Sequence, residues 1–280
     1  PCLTINKLPQ HVNQVTNEQR QNRPSGKVIP ADDKADVEVA AIFDGMVKHI
    51  EVNSNAEVAY DTGLDGAVKG GIGWWRVNTE YCDHESFDQE LLIKPIRNPF
   101  TVYMDPSSVM PDGRDQYWCI ISETMKRAEY KRRYPKAANV EWRYVDAPGD
   151  MTLDWESKEE VRLAEYYRIH EVRDSLCRLS DGQTKYRSEL ADPDVISAMG
   201  LTIVAERPST RCVVQWFRLN GKTVVDRRDD PGEHIPVVRC EGNVEDVNGR
   251  VLRKGMVEML NDPAQMFNYC RTAQTERYEL

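Results

Sequence analysis

The chain has 280 residues, long enough to bury a sizeable core in one large domain or two small ones. Its 37 Lys and Arg residues face 46 Asp and Glu, a net charge of −9, which argues against a protein whose task is to grip nucleic acid, because that affinity rests on cations neutralising phosphates. No apolar run approaches the ~18 residues of a membrane-spanning helix, and the seven cysteines are scattered and never in CxxC spacing, so they read as reduced thiols and not as disulfides or zinc ligands.

Residues 1–30 are polar. Leu3, Ile5, Leu8, Val12 and Val15 predict a short helix, followed by a loop and a strand at Lys27–Pro30. Asp32 or Asp33 is the expected cap of the next helix. Its Val39, Ile42, Phe43, Met46, Val47 and Ile50 repeat at helical spacing. Ser54-Asn55-Ala56-Glu57 has the form of a capping box and opens another helix. Small residues on that helix, Ala59, Gly63 and Ala67, would let a neighbouring backbone come close. Gly70 suits the position just past its end, where a left-handed backbone is needed.

From Ile72 the period changes to two. Gly73, Trp75, Val77, Thr79 and Tyr81 fall on one face of a strand, and Ile72, Trp74, Arg76 and Asn78 on the other. Leu91–Ile96 predicts a second strand, Asn98-Pro99 a turn, and Phe100–Met104 a third strand stopped by Asp105-Pro106. These three are expected to pair as an antiparallel sheet with Trp75, Val77, Ile93, Phe100 and Tyr103 in one core cluster. Truncation of a core Phe100 would cost about 3–5 kcal/mol.

Beyond this, Gln116–Glu123 reads as a strand and Lys126–Tyr134 as a basic helix stopped by Pro135. Lys136–Ser157 reads as a loop, Val161–His170 as a strand, and Asp192-Pro193 to Gly200 as a short helix. Thr202–Ala205 and Thr210–Arg218 are expected strands. Asn220-Gly221 is the strongest hairpin signal, leading into Lys222–Asp226. Ile235–Cys240 predicts another strand, Gly242–Gly249 a loop, and Leu252–Leu280 a helix kinked at Asp262-Pro263. The fold class is α+β, mainly an antiparallel sheet with N-terminal helices and a long C-terminal helix. The expected division is a polar segment over 1–30, a body over 31–254, and the start of the C-terminal helix over 255–280. The chain begins at Pro1 and ends inside a helix, so it reads as a fragment of a longer protein.

No catalytic, cofactor or metal site is expected. Gly71-Ile72-Gly73 lacks the third glycine of a nucleotide loop, since Arg76 stands there, and it runs from helix to strand. No GxxxxGK[ST] occurs, no Ser sits in a G-x-S-x-G elbow, and the five histidines are isolated. Asp83-His84-Glu85, Asp105 and Asp112/Asp115 could serve a Mg²⁺-dependent nuclease, or be acidic turns, which Asp favours through local hydrogen bonds. Lys126, Arg127, Lys131, Arg132 and Arg133 form the one basic run. They are candidate contacts to phosphate or to an acidic neighbouring subunit, against the reading of a solvated helix face. Trp74 and Trp75 are adjacent and point to opposite faces of a strand. They therefore make no base-stacking platform, which needs aromatics on one face with cationic flanks.

Four blocks carry a family resemblance. They are Ala59-Tyr60-Asp61 on its helix, Gly-Gly-x-Gly-x-x-Arg-Val from Gly70 to Val77, Ser86-Phe87-Asp88-Gln89-Glu90, and Ile96-x-Asn98-Pro99-Phe100-x-Val102-Tyr103-x-Asp105-Pro106. In order and spacing they resemble portal proteins, the head-to-tail connectors of short-tailed bacteriophages. The resemblance implies a homododecameric ring around a channel through which double-stranded DNA is packaged and ejected without sequence specificity. It implies a virion component at the capsid vertex, assembled in the host cytoplasm, with terminase, capsid or scaffold and tail proteins as partners and no cofactor. It implies no enzymatic activity, since the ATP-driven motor is a separate terminase. It makes the body the outer region called the wing, with 255–280 directed toward the stem. The competing readings are a metal-dependent nuclease using Asp83, Glu85 and Asp105, and another phage structural protein such as a tail adaptor.

Overall fold

The computed structural model describes residues 3–23, 25–31, 36–83, 85–135, 137, 160–190, 200–221 and 223–278. In chain order the elements are α1 (Leu8–Gln21), α2 (Val37–Asn53), α3 (Ala56–Gly70), β1 (Ile72–Tyr81), β2 (Gln89–Ile96), β3 (Val102–Met104), β4 (Trp118–Lys126), α4 (Arg127–Arg133) and β5 (Glu160–Leu179). Then come β6 (Thr184–Tyr186), β7 (Ile203–Leu219), β8 (Val224–Asp230), β9 (Val237–Glu241), β10 (Asn243–Val247), β11 (Arg250–Lys254) and α5 (Met256–Tyr278). The class is α+β with antiparallel pairing throughout the described ladders. The chain forms two compact units, one of residues 1–100, 109–114 and 236–280, the other of 101–108 and 115–235.

In the first unit a three-stranded sheet runs in the order β2-β1-β9. The third strand of this sheet is β9, not the expected Phe100–Met104. Pro99–Thr101 forms a 3-10 turn, which leaves only three residues of β3, and these pair with β4 in the other unit's sheet. A distant strand thus displaces a near one from the free edge of β1. The α3 helix lies on the Gly73–Trp75 face of β1. A Cβ on Gly73 would collide with the Gly63 carbonyl, and one on Gly63 would sit 2.7 Å from the Trp75 ring. Ala59 and Ala67 are buried beside them. The small stripe on α3 therefore does what its sequence suggests: it lets helix backbone meet strand backbone.

The helix ends differ from expectation in detail. Asp36 caps α2, its carboxylate accepting the Glu38 N–H at 2.8 Å; Asp32 and Asp33 lie outside the described residues. The capping box is not formed. Ser54 ends α2 instead, its hydroxyl donating to the Ile50 carbonyl at 2.6 Å and accepting the Ile93 N–H at 3.0 Å. That stitches the end of α2 to β2. Asn55 then enters α3 with a left-handed φ of 49°. The left-handed residue after α3 is Gly71, φ 87°, one place beyond Gly70. Lys27–Pro30 forms no strand. Gly242–Gly249 is mostly strand, closing the β10–β11 hairpin at Asn248-Gly249. The α5 helix runs through Pro263 as one element. It anchors the N-terminal segment, because the Ile5 N–H donates to Asn268 at 2.9 Å and the Leu3 N–H to Thr272 at 3.2 Å.

The second unit is built on a six-stranded sheet, β3-β4-β5-β7-β8 with β6 paired to β5. The two strands expected over 202–218 are one, β7, continuous through Pro208. Asn220-Gly221 makes the β7–β8 hairpin as expected, with Gly221 at φ 83°. One face of the sheet is apolar and buried: Cys119, Ile121, Val161, Leu163, Tyr167, Val214 and Trp216. The helix expected from Asp192-Pro193 and most of the 136–157 loop lie outside the described residues.

Candidate functional site

The basic run folds as α4, and its geometry follows from two tyrosines at i and i+4. Tyr130 is buried against Val161 and Leu163, with Tyr134 packed at the edge of the same cluster. The Tyr130 hydroxyl accepts the Asn220 amide at 2.9 Å, and the Tyr134 hydroxyl accepts from Arg218 at 2.8 Å. With that side committed, Lys126, Lys131, Arg132 and Arg133 are left exposed and Arg127 half-buried. Arg133 lies 6.0 Å from the Tyr134 ring, a cation–π distance. Lys126 stands opposite Glu160 in the β4–β5 register. The acidic stretch 146–159 lies outside the described residues.

Beneath α4 runs a buried polar network. Glu165 is 4% exposed and Arg218 8%, and they form an ion pair. Glu165 also accepts from Trp216 Nε1 at 3.2 Å. Burial opposes the charge on Arg218, but Glu165 and the Tyr134 hydroxyl outweigh it and raise its pKa. Burial raises the Asp230 pKa, against the pull of Arg228 at 2.8 Å.

The opposite face of the same sheet is different in kind. The register sets Tyr166, Phe217 and Arg227 in one row, and Trp118, Arg168, Gln215 and Asp229 in the next. Arg168 lies 5.2 Å and Arg227 5.4 Å from the Phe217 centroid, and Tyr166 stacks on Phe217 at 6.0 Å. Arg168 donates twice to Gln215 Oε1, at 3.0 and 2.9 Å, which fixes its fork. Both guanidinium groups are exposed. This arginine–aromatic surface is absent from the sequence reading. The Asn220-Gly221 turn does not reveal it, because a two-residue turn would set Phe217 opposite Val224, whereas the ladder shifts register between Arg218 and Leu219 and sets Phe217 opposite Arg227.

The five residues of the expected core do not share one environment. Trp75, Val77 and Ile93 are half-buried, with Trp75 edge-on to Tyr60 at 5.5 Å and Val77 opposite Ile93. Phe100 is 74% exposed and Tyr103 53%, so neither belongs to the cluster. The 3-10 turn at Pro99–Thr101 breaks the strand alternation that would have turned them inward. The deeply buried tryptophan is Trp74, 1% exposed.

Three carboxylates of the acidic cluster, Asp105, Asp112 and Asp115, are bonded locally. Asp105 accepts from the Ser107 N–H and hydroxyl and from the Tyr117 N–H, at 2.9, 2.6 and 3.1 Å. Burial works against its charge, yet these bonds win and lower its pKa. Asp115 accepts from Ser108 at 2.6 Å and Asp112 from the Arg114 N–H at 3.2 Å. Asp83 and Glu85 sit at the β1–β2 tip, in the other unit from Asp105. His84 lies outside the described residues, and among those described no group of three or more His, Cys, Asp or Glu is placed to hold a metal.

The first unit also holds a cavity of about 750 Å³. Its walls include Tyr60, Leu64, Trp75 and Cys240, with Arg23, Glu57 and Asp61 at its rim already joined to one another. Burial and the bond to Glu51 push the Tyr60 hydroxyl up to about 12. Not every polar group of the lining is paired: Gln19 Oε1 and Asp61 Oδ1 are buried without a hydrogen-bond partner.

Among the described surfaces, α4 and the arginine–aromatic face both present exposed cations. The chain is 25% identical over 270 residues to a protein named "Portal protein" from Acyrthosiphon pisum secondary endosymbiont phage 1, an alignment covering 90% of this chain. It spans 37% of the length of that curated relative. The sequence profile described as Phage P22-like portal protein matches residues 1–279, essentially end to end, and the chain belongs to that family.

Proposed function

We propose that this chain is part of a structural subunit of a phage portal ring. In this reading copies of the full-length protein surround a channel for packaging and ejecting double-stranded DNA, and form the head-to-tail junction at a capsid vertex. The observation that carries the reading is the family match over residues 1–279. The net charge of −9 agrees with it, because a conduit must let phosphate slide, and a strongly basic wall would retain it. The finer assignments belong to the same proposal: twelve copies, assembly in the host cytoplasm, and terminase, capsid or scaffold and tail proteins as partners. So does the division into a body over 31–254, corresponding to the wing, and a stem-directed segment from 255. The subunit is proposed to act without enzymatic activity of its own, hydrolysis of ATP being left to the terminase.

The test is negative-stain imaging of the full-length protein. Closed rings of uniform symmetry with a central channel are expected. A monodisperse protein without rings, or Mg²⁺-dependent cleavage of plasmid DNA abolished by Asp105→Ala, would overturn the reading.

A further inference from the structure

The apolar stripe of α2 recurs at the spacing of a core-facing helix side, yet it lies in water. Val39 is 44% exposed, Ile42 62%, Phe43 53%, Met46 53% and Val47 42%. The helix is held to its own unit by other residues. Ala40 is buried, Asp44 accepts the Val28 N–H at 3.0 Å and pairs with Lys48, and the Ser54 hydroxyl that ends the helix accepts the Ile93 N–H. From Val39 to Val47 Asp44 is the one charged residue, and its carboxylate is engaged by those two bonds. A single apolar side chain in water is ordinary. A contiguous row at i, i+3, i+4 and i+7 is the anchor pattern of a helix packed against a partner.

We propose that in the full-length protein this stripe is covered by an apolar helix face that the same subunit supplies from beyond residue 280. The chain spans 37% of the length of its curated relative, so more than half of a protein of that length lies outside it. The inference rests on the portal reading only for that extension, and it adds where the extension packs. The chemistry of the stripe selects the occupant. It carries no cation for phosphate, which nucleic acid would require. A convex helix side is also not the concave site that a small molecule needs. An uncharged row of Val, Ile, Phe and Met resembles a domain core cut in two, the form of a permanent contact. Its i, i+3, i+4 ridges suit the grooves of a second helix. A second copy of the chain fits less well. Subunits of net charge −9 repel one another and meet only as fast as their concentration allows. Until they met, the row would stand open to aggregation. A segment of the same chain is present at high effective concentration from the moment the subunit folds.

The test uses the full-length protein with photoreactive benzoylphenylalanine in place of Phe43. Isotopically light and heavy subunits are mixed before they assemble, irradiated and mapped by mass spectrometry. The expected result is single-isotope cross-links from position 43 to peptides beyond residue 280. If that variant does not fold, the same label in place of Met46 repeats the measurement. A second readout is thiol labelling of Met46→Cys, followed at its own peptide. It should be at least about tenfold slower than labelling of Glu38→Cys at the exposed start of the same helix, equivalent to roughly 1.4 kcal/mol of protection. Mixed-isotope cross-links would assign the stripe to a second copy and overturn the proposal. Cross-links confined to residues 1–280, no cross-links at all, or labelling of Met46→Cys as fast as Glu38→Cys overturn it equally. Rings that form normally while position 43 cross-links elsewhere would remove this contact and leave the portal reading standing.

Discussion

Glu165 and Arg218 show how a single buried pair ties two elements together. Arg218 spends its guanidinium on Glu165 and on the Tyr134 hydroxyl, so it links β7 to β5 and to α4 at once. Removing one partner leaves the other charge in a place closed to water. Arg218→Met is expected to cost about 3–5 kcal/mol, and Glu165→Leu/Arg218→Met much less, since an apolar pair of similar volume avoids the stranded charge. Urea unfolding of the three proteins decides it. Equal costs for single and double variants would mean that packing, not charge, sets the value. The two aromatic positions of the first unit make a second contrast. Trp74→Ala should cost about 3–5 kcal/mol. Phe100→Ala, at 74% exposure, should stay within about 0.5 kcal/mol in the isolated chain. A large loss for Phe100→Ala would restore the core role that the sequence suggested for it.

The α3–β1 contact shows what was legible at the scale of elements. Ala59, Gly63 and Ala67 recur on one helix face, and Gly73 opens a strand, so close approach could be read from residue size alone. The hairpin at Asn220-Gly221 was legible as a turn but not in its register, because Leu219 pairs with Val224 and the ladder shifts between Arg218 and Leu219. Which strand fills the free edge of β1 was not. That depends on β9, which lies far along the chain and whose local pattern names no partner. Trp74 and Trp75 illustrate the same limit: period two puts them on opposite faces, but only the layers around the sheet decide which face is drier. The α4 cations were readable as a run, while the arginine–aromatic face needed cross-strand register among three strands. The packing logic can be tested with two glycines. Gly73→Ala forces a Cβ into the Gly63 carbonyl and should destabilise by about 1–3 kcal/mol or more. Gly45→Ala, in α2 with nothing within 4 Å of the added Cβ, should stabilise by about 0.4–1 kcal/mol. Thermal melts that shift both in the same direction would contradict the account.

At the scale of the whole molecule the problem is self-association against like charge. A chain with a net charge of −9 repels its copies unless cations are placed where the neighbour is acidic. We propose that Lys131, Arg132 and Arg133 on α4 are such a placement, since all three are exposed while Tyr130 and Tyr134 bond to Asn220 and Arg218. The acidic partner expected for them is the 146–160 stretch of a neighbouring copy, of which Glu160, opposite Lys126 in its own chain, is the described end. If these charges meet across subunits, reversing Lys131, Arg132 and Arg133 to Glu turns attraction into repulsion. Screening sets the signature. At low salt the Debye length is about 30 Å at 0.01 M, so the reversed charges repel strongly; at 1 M it is about 3 Å and the penalty fades. Light scattering of full-length wild type and triple variant at both salts should therefore show ring yield reduced most at low salt and partly restored at high salt. Equal yields at both salts would remove α4 from the subunit interface and leave the family membership untouched. A loss that is the same at both salts would mean that the reversal disturbs folding of α4, which the far-ultraviolet circular dichroism of the variant would reveal directly.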